Sequence, residues 1–289
     1  MNIVETVANG SILWLHRMKH LVVLAVLFGF ITTAVHAEGT NLPPFQTGEK
    51  LTYQIYWGPF IGGRATLEVT GIEPVDGHDC YRIVAHAETT GLADFLFHVD
   101  STSESWLDTQ DLCTRRYREN RVEGKSKQDN ETVYDYVKKE AVTTNHRNGK
   151  KRHTPLPGPV VDVISSLYYI RTKPLALNTP QTFAINTGDT NRTVNLVPDT
   201  RKSLYIRPLG DVNALRMEPK PTMNIVSKNG GRLLFWISDD AKKIPVLVTS
   251  EMKIGSAKLV LSNIEHSTPV AAATPQRVHP QPILAIANP

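Results

Sequence analysis

Apolar and polar side chains alternate with a period of two through most of this chain. The pattern is clearest at the start of the body, where Leu51, Tyr53, Ile55 and Trp57 are separated by single polar or less apolar residues. Successive side chains of an extended strand point to opposite faces, so the alternation predicts a strand with one buried face. Strands are predicted in the same way at 65–69, 80–88, 99–107, 112–121, 132–137, 140–144, 182–185, 193–197, 204–207, 214–218, 232–237, 245–254 and 257–264.

The strand pattern is interrupted by one segment with helical spacing, residues 160–172. Asp162 is a candidate N-cap, and Pro174 follows the end of the segment. Gly58-Pro59 and Gly62-Gly63 are predicted to allow a reversal of the chain between the first two strands. The predicted fold is therefore mainly β: a large curved antiparallel sheet or partly closed β-barrel, with one covering helix. A chain of 289 residues with 40% apolar residues can build such a core.

The first 37 residues have the features of a secretory signal peptide. A basic start at Met18 precedes an apolar run over 21–31, which is too short to span a bilayer, and the segment ends in small residues at Ala37. Residues 1–37 are predicted to be a leader cleaved after Ala37, with translation starting at Met1 or Met18. An uncleaved N-terminal anchor is the alternative.

The remaining chain is predicted to form one β-rich domain over residues 38–266. Residues 267–289 are rich in Pro and Ala and are predicted to be a disordered tail. No apolar run of about 20 residues follows residue 37, so no membrane span is predicted in the mature chain. Export predicts a periplasmic location.

Charge and cysteine content exclude several classes of function. The formal charge is +4, and the basic residues are interspersed with acidic ones, so no nucleic-acid partner is predicted. No cofactor or metal is predicted, because no set of three or more ligands occurs at the usual spacing. Two weaker alternatives are a histidine pair, His86 and His98, facing each other across a hairpin near Leu92, and a cation at Asp239-Asp240, where turn formation is the simpler interpretation.

Four separated motifs resemble a known family. They are Gly48–Trp57 (GEKLTYQIYW) followed by Gly62-Gly63, Asp162–Arg171 (DVISSLYYIR), Trp236–Asp240 (WISDD) with Ile244–Val246, and Ile254–Ser256. In this order and spacing they resemble the bacterial exported family called domain of unknown function 3108, over roughly residues 42–265. The resemblance implies a periplasmic β-rich domain in a Gram-negative bacterium. It implies no catalytic residues.

The helical segment and the sheet aromatics provide the candidate site. An apolar cavity is predicted between the helix and the concave sheet face. Its candidate ligand-binding residues are Tyr53, Trp57, Asp162, Tyr168, Arg171 and Trp236. The alternative is structural: Asp162 caps the helix, Arg171 pairs with a carboxylate of the sheet, and the tryptophans only pack.

The leading functional hypothesis is a non-enzymatic periplasmic protein that binds a lipid, another apolar or amphipathic envelope molecule, or an envelope protein in its concavity. An enzyme acting on an envelope polymer or lipid is a second hypothesis. It would require paired carboxylates or a nucleophile with its base, and the sequence shows neither, nor a Gly-x-Ser-x-Gly motif. The third is an assembly factor that docks through sheet edges and the tail.

Cys80 and Cys113 form a disulfide only if local geometry allows it. A simple meander places them on the two strands that flank a middle strand, about 9.6 Å apart, beyond the roughly 7 Å limit between Cα atoms. Both residues directly follow turns, however, and could lean over the strand end. The sequence therefore does not decide whether the disulfide forms. If it forms, its role is expected to be structural.

Overall fold

A computed structural model describes residues 42–220, 232–252 and 255–267. The predicted leader, 1–37, and the predicted tail after Ser267 lie outside these ranges. Within them the chain forms fourteen strands and two short helices, and neither helix is long and apolar enough to cross a membrane.

The strands, in chain order, are β1 Glu49–Trp57, β2 Phe60–Val75, β3 His78–Thr89, β4 Val99–Asp108, β5 Thr114–Glu123, β6 Ser126–Asp135, β7 Glu140–Asn145, β8 Lys151–Pro155, β9 Gln181–Asn186, β10 Asn191–Ile206, β11 Gly210–Lys220, β12 Arg232–Ser238, β13 Pro245–Met252 and β14 Gly255–His266. Helix α1, Gly91–Leu96, follows β3, and helix α2, Val163–Arg171, follows β8. All fourteen strands belong to one sheet, in the order β8-β7-β6-β5-β4-β3-β2-β1-β14-β13-β12-β11-β10-β9. This confirms the predicted mainly-β class.

The strand order gives the sheet two distinct ends. Every strand is antiparallel to its chain neighbour, so successive connections alternate between the two ends. The β1–β2, β3–β4, β5–β6, β7–β8 and β9–β10 connections lie at one end, here called the mouth end. The β2–β3, β4–β5 and β6–β7 turns and the connection that contains α2 lie at the other, here called the helix end.

The chain between β8 and β9 links the outer strand β9 to β5, which lies in the other half of the sheet. Val161 N donates to Ala184 O at 3.0 Å, and Asn186 N donates to Val161 O at 2.9 Å. On the opposite side, Thr114 N donates to Val160 O at 2.9 Å. Residues 156–162, here called the seam, therefore connect the two halves of the curved sheet. The result is a curved, barrel-like antiparallel sheet, which agrees with the prediction of a curved sheet or partly closed barrel.

Helix α2 packs into the concave face at the helix end. Its buried residues Tyr168 and Ile170 join a main core of inward-facing side chains. Other members of this core are Leu51, Leu67, Val69, Ile83, Leu107, Met217, Ile237, Val246 and Leu261. A second apolar cluster, formed by Tyr134, Ala141, Leu156 and Val160, lies against the seam.

Several predicted boundaries are wrong for identifiable reasons. The helix begins at Val163 rather than 160, because Val160 and Val161 are held extended by the seam bonds. Strands predicted at 193–197 and 204–207 are one strand, β10, with a register irregularity between Pro198 and Thr200. Strand β8, with the sequence KRHTP, has no apolar alternation and is not predicted. The connection near Leu92 contains α1.

The Gly62-Gly63 pair lies inside β2 and does not form the reversal. The chain turns at the other predicted position, Gly58-Pro59, where the φ of 57° at Gly58 suits glycine. The register between β1 and β2 shifts beside Ile55, so Gly62 is an extra residue on its strand.

Candidate functional site

Asp162 fixes the start of α2. It is buried, and its carboxylate accepts hydrogen bonds from Ile164 N at 2.7 Å and Ser165 N at 3.0 Å, which is the predicted N-cap. The hydroxyls of Ser105 and Thr114, on β4 and β5, donate to its other oxygen. Burial raises the pKa of this carboxyl, while the surrounding hydrogen bonds act in the opposite direction. The side chain therefore joins α2 to the sheet.

Arg171, at the other end of α2, is equally buried. Its guanidinium donates to both carboxylate oxygens of Glu49 on β1, at 2.6 and 2.9 Å. It also donates to Pro44 O at 3.1 Å and Lys242 O at 3.2 Å. These contacts match the structural alternative, in which Arg171 pairs with a sheet carboxylate.

The remaining predicted site residues lie in different environments. Tyr53 is buried and donates to Pro245 O at 2.9 Å. Tyr168 is fully buried against Phe45, with ring centroids 4.8 Å apart, and burial raises the pKa of both tyrosines. Trp57 lies at the mouth end and is 47% exposed, and Trp236 is half-buried beneath the guanidinium of Arg216. The six residues do not converge on one cavity, and ligand binding by them stays a prediction.

An apolar cavity does lie between α2 and the concave face, but other residues line it. It has a volume of about 30 Å³, and Ser166, Leu167 and Ile170 of α2 form one wall. The opposite wall consists of Phe183, Ile185, Val194, Leu196, Met217, Pro219, Phe235, Ile237 and Pro245. A cavity of this size holds at most a few water molecules, so an acyl chain does not fit it as it stands.

A larger cleft opens at the mouth end, and its lining is polar. It has a volume of about 480 Å³ and lies between the inward faces of β5–β7 and the β7–β8 and β9–β10 turns. It is called the polar cleft below. Its lining residues are Tyr117, Glu119, Gln128, Asn130, Thr132, Thr143, Asn145, Asn148, Lys150, Lys151, Arg152, Thr187, Gly188 and Asp189.

Strand register explains how these side chains meet. Ser105, Tyr117, Thr132 and Thr143 are consecutive cross-strand partners on β4 to β7. Ser105 reaches Asp162 under the helix, so this row faces inward. The next inward row, two residues along each strand, is formed by Ser103, Glu119, Asn130 and Asn145. In these two rows, toward the mouth end, the inward side chains of three neighbouring strands therefore all carry polar groups.

Hydrogen bonds within the cleft hold its side chains in place. Asn130 Nδ2 donates to Glu119 Oε1 at 2.8 Å, and the Thr143 hydroxyl donates to Gly188 O at 2.7 Å. Tyr117 donates to Ser103 Oγ at 3.2 Å, and burial raises the pKa of its phenol, so it remains a neutral donor at physiological pH. The cleft can therefore offer hydroxyl, amide and carboxylate groups in fixed positions.

The charge at the cleft is slightly positive. Three basic residues, Lys150, Lys151 and Arg152, line it with two acidic residues, Glu119 and Asp189. Arg152 pairs with Asp189 at 3.4 Å. No local signal in the sequence marks this site, apart from the polar residues on both faces of residues 126–132 in β6.

A group of potential metal ligands at the helix end is already bound by an arginine side chain. His78, Asp108 and Asp111 have ligand atoms within 4.8 Å of one another. The Arg115 guanidinium lies among them, at 2.9 Å from Asp108 and 2.7 Å from Asp111. Because a cation of the protein itself holds both carboxylates, this group is an ion-pair network rather than a metal centre.

The alternative ligand pairs from the sequence are separated or engaged elsewhere. His86 Nδ1 lies 3.1 Å from the Thr102 hydroxyl, and His98 Nδ1 lies 2.7 Å from Asp94. Asp239 pairs with Arg201, and Asp240 accepts from two backbone amides of its own turn, as expected for a turn former.

Cys80 and Cys113 are buried, free thiols at the helix end. Asp108 lies between their strands: it pairs with Cys80, and its backbone N donates to Cys113 O at 2.9 Å. Burial raises the pKa of the Cys80 thiol to about 12 and raises that of Cys113 as well. Thiols with such values are poor nucleophiles, which favours a structural role.

Comparison with known proteins agrees with the motifs in the sequence. The model of the family "Protein of unknown function (DUF3108)" matches residues 52–262. The chain belongs to this family. A search of curated protein sequences finds no match to this DUF3108 protein.

One solved structure supports the β-barrel-like fold. A "Beta-barrel-like Protein of Domain of Unknown Function DUF1849" from Brucella abortus is similar, with a TM-score of 0.52 and 11% identity over 76% of this chain and 98% of that chain. A structure from Bacteroides fragilis, described as a "putative exported protein with YmcC-like fold", matches with a TM-score of 0.29 and 11% identity over 76% and 97% of the two chains.

Proposed function

We propose that this DUF3108 protein is a non-enzymatic binding protein of the periplasm, which takes the polar group of an amphipathic envelope molecule into the polar cleft. The observation that carries the proposal is the cleft itself. Inward positions of a small barrel are normally filled by packed side chains. Here those of β5–β7 toward the mouth end carry polar groups and surround about 480 Å³ of unfilled space.

The size and chemistry of the polar cleft restrict its ligand. Its volume falls within the roughly 300–1,000 Å³ typical of small-molecule sites. Hydroxyl and amide side chains bind a group rich in hydroxyls or amides, and the basic residues Lys150 and Lys151 favour a negative charge on it. A hydroxylated headgroup with a phosphate or carboxylate meets both requirements.

The apolar part of the ligand is expected to stay outside the barrel. The cavity beside α2, at about 30 Å³, is too small for it. Exposed apolar side chains at the same end of the sheet, including Trp57, provide a surface on which it can lie. The ligand is thus amphipathic, as the sequence predicts, but it is bound by the polar cleft rather than by the six residues predicted around α2.

An enzymatic role is less well supported by the same geometry. The two carboxylates that line the polar cleft, Glu119 and Asp189, are held by Asn130 and Arg152 respectively. Hydrolysis of an envelope polymer would need one carboxyl to act as acid and another as base, both directed at a shared substrate. Side chains already bonded to neighbours suit recognition better than proton transfer.

Native mass spectrometry of protein purified from the periplasm tests the proposal. We expect the wild type to carry an amphipathic molecule of defined mass. Asn130→Leu, which replaces a cleft amide, should weaken rebinding of that molecule to delipidated protein about tenfold, the effect of losing one buried hydrogen bond. Asn120→Leu is the matched control, because Asn120 is exposed on the neighbouring strand β5.

Two results would overturn the proposal. The first is wild-type protein that carries no small molecule and binds none from an extract of envelope lipids. The second is equal weakening by Asn130→Leu and Asn120→Leu, which would place the binding site elsewhere.

A further inference from the structure

The mouth end carries a group of exposed apolar side chains. They belong to the β1–β2 turn and to the connection between β3 and β4 that contains α1. The group, called the apolar tips below, consists of Trp57, Phe60, Ile61, Leu92, Phe95, Leu96 and Phe97. Leu92, Phe95 and Leu96 are 83%, 87% and 80% exposed. Soluble proteins rarely expose so many large apolar residues together without a partner.

The two segments form one continuous surface. Thr90 N donates to Gly62 O at 3.0 Å, which fixes the α1 connection to β2. A Cβ added at Gly62 would lie 3.5 Å from Ala93 Cβ, so helix and strand are in contact. Phe97 lies against Gly124 in the β5–β6 turn. The apolar tips are thus attached to the next hairpin as well.

The neighbouring turns at the mouth end are basic. Residues 57–61, 90–98, 123–127, 145–152 and 187–190 contain six Lys or Arg and three Asp or Glu, a net charge of +3. The basic residues are Lys125, Lys127, Arg147, Lys150, Lys151 and Arg152. The acidic ones are already engaged: Asp94 with His98, Glu123 with Arg121, and Asp189 with Arg152.

We propose that the mouth end docks on an anionic lipid bilayer. The apolar tips would enter the interface between headgroups and acyl chains, and the basic turns would contact lipid phosphates. Apolar side chains next to Lys and Arg are the combination that binds anionic membrane surfaces.

The shape of the surface favours a bilayer over a protein partner. The apolar side chains stand on the ends of hairpin connections, and α1 has no buried residue. A peptide is usually bound in a groove or along a free strand edge. Protruding tips fit a fluid interface, which closes around them.

Docking in this orientation would bring the polar cleft to the membrane surface. An amphipathic molecule could then place its headgroup in the cleft while its apolar part remains in the bilayer. This consequence rests on the proposed function, whereas the docking itself does not.

Vesicle flotation of the periplasmic protein tests the docking. We expect it to float with vesicles of phosphatidylethanolamine and phosphatidylglycerol and much less with phosphatidylcholine alone. The triple variant Leu92→Ser, Phe95→Ser, Leu96→Ser should bind at least about tenfold more weakly, because each side chain loses its transfer into the interface. All three residues are exposed, so the fold should persist, which circular dichroism can check.

Matched controls come from the helix end. Val137 and Tyr205, 95% and 73% exposed, are replaced by Ser in the apolar control, which should float like the wild type. For charge, Lys150→Gln with Lys151→Gln should reduce binding to anionic vesicles only. Lys202→Gln with Arg207→Gln, both exposed on the β10 side of the helix end, should have no effect.

Fluorescence of Trp57 provides a second readout. Its emission should shift to shorter wavelength on anionic vesicles, and Trp57→Phe should abolish the shift.

Equal flotation of the wild type and the triple variant would overturn the docking. So would a wild type that stays unbound but forms a dimer dissolved by the triple variant, since the surface would then bind a second copy of the chain. A wild-type protein that floats with anionic vesicles but carries no copurified molecule would contradict the proposed function and leave the docking intact.

Discussion

At the scale of single residues, the interior of this barrel depends on charged side chains as well as apolar ones. Arg171 and Glu49 are both nearly inaccessible to solvent and bind each other in a bidentate pair. The Arg171 guanidinium also lies close to the rings of Phe45 and Tyr168, 5.5 and 5.3 Å from their centroids. The pair joins α2 to β1, which makes it a determinant of how the helix sits in the barrel.

Arg171→Met should therefore destabilise the protein strongly. It would leave Glu49 buried without its partner, at a cost of about 3–5 kcal/mol in the free energy of unfolding. Denaturant unfolding measures the change. Arg232→Met is the control: its side chain is 52% exposed where it pairs with Glu218 at 3.0 Å, so a much smaller change is expected. If the double variant Glu49→Leu, Arg171→Met were no more stable than Arg171→Met, the unpaired-charge explanation would fail.

Asp162 should make stability depend on pH in a defined direction. Burial raises the pKa of this carboxyl in the folded state, so the fold binds its proton more tightly than the unfolded chain does. The resulting stabilisation is complete below the unfolded pKa of about 3.9 and is lost as pH rises through the raised folded value. Asn can still cap the helix but has no such titration.

The stability of Asp162→Asn relative to the wild type should therefore increase from acidic to neutral pH. Asp162→Ala should cost about 1–3 kcal/mol, because it removes the cap and leaves Ser105 and Thr114 without their acceptor. Urea unfolding over a pH series provides both comparisons. A difference between wild type and Asp162→Asn that is constant with pH would show that the titration of Asp162 is not coupled to folding.

At the scale of elements, β2 shows how closely neighbouring strands approach. A Cβ at Gly63 would lie 2.2 Å from Glu88 O on β3, a distance that no side chain tolerates. Gly63 is thus required by strand packing near the mouth end, not by a chain reversal.

Two glycine substitutions in β2 should show whether Gly63 is needed because the β3 backbone lies too close for a side chain or because the strand must be flexible. Gly63→Ala should destabilise the protein by about 1–3 kcal/mol, because β3 must move. Gly71→Ala, with nothing within 4 Å of the added Cβ, should be neutral or slightly stabilising. Thermal unfolding of both variants is the measurement. Equal losses would mean that strand flexibility, rather than space, explains Gly63.

The sequence predicts those elements that are stabilised by residues close together in the chain. Alternation predicts β1 because Leu51 and Tyr53 face the core, and Asp162 predicts the helix start because it bonds to residues two and three positions later. The partner of Arg171 could only be described as some sheet carboxylate, since Glu49 is 122 positions away. The polar cleft was missed because its rows come from strands whose register is set by tertiary structure.

At the scale of the whole molecule, the seam determines whether the sheet behaves as open or closed. Its bonds from Val161 to β9 and from Val160 to β5 give the outer region of the sheet partners that an open edge lacks. We expect the amides of Thr114, Val161 and Asn186 to exchange with solvent as slowly as those of the central strands.

Hydrogen exchange followed by mass spectrometry measures this directly. Helix α1 is the internal reference: it has no buried residue and should exchange fast. Seam amides that exchange as fast as α1 would show that the barrel opens between β8 and β9 in solution.

The pairing of β1 with β14 has a consequence for engineering the chain. Glu49 faces His266, and Ser267 N donates to Gly48 O at 3.0 Å, so the two ends of the described body lie side by side. A circular permutant could join them by a short linker and begin anew at the exposed turn of Val137. Its strands would keep the same neighbours around the sheet. The chain enters β1 and leaves β14 at the helix end, so a permutant joined there would have its linker on the side away from the entrance to the cleft.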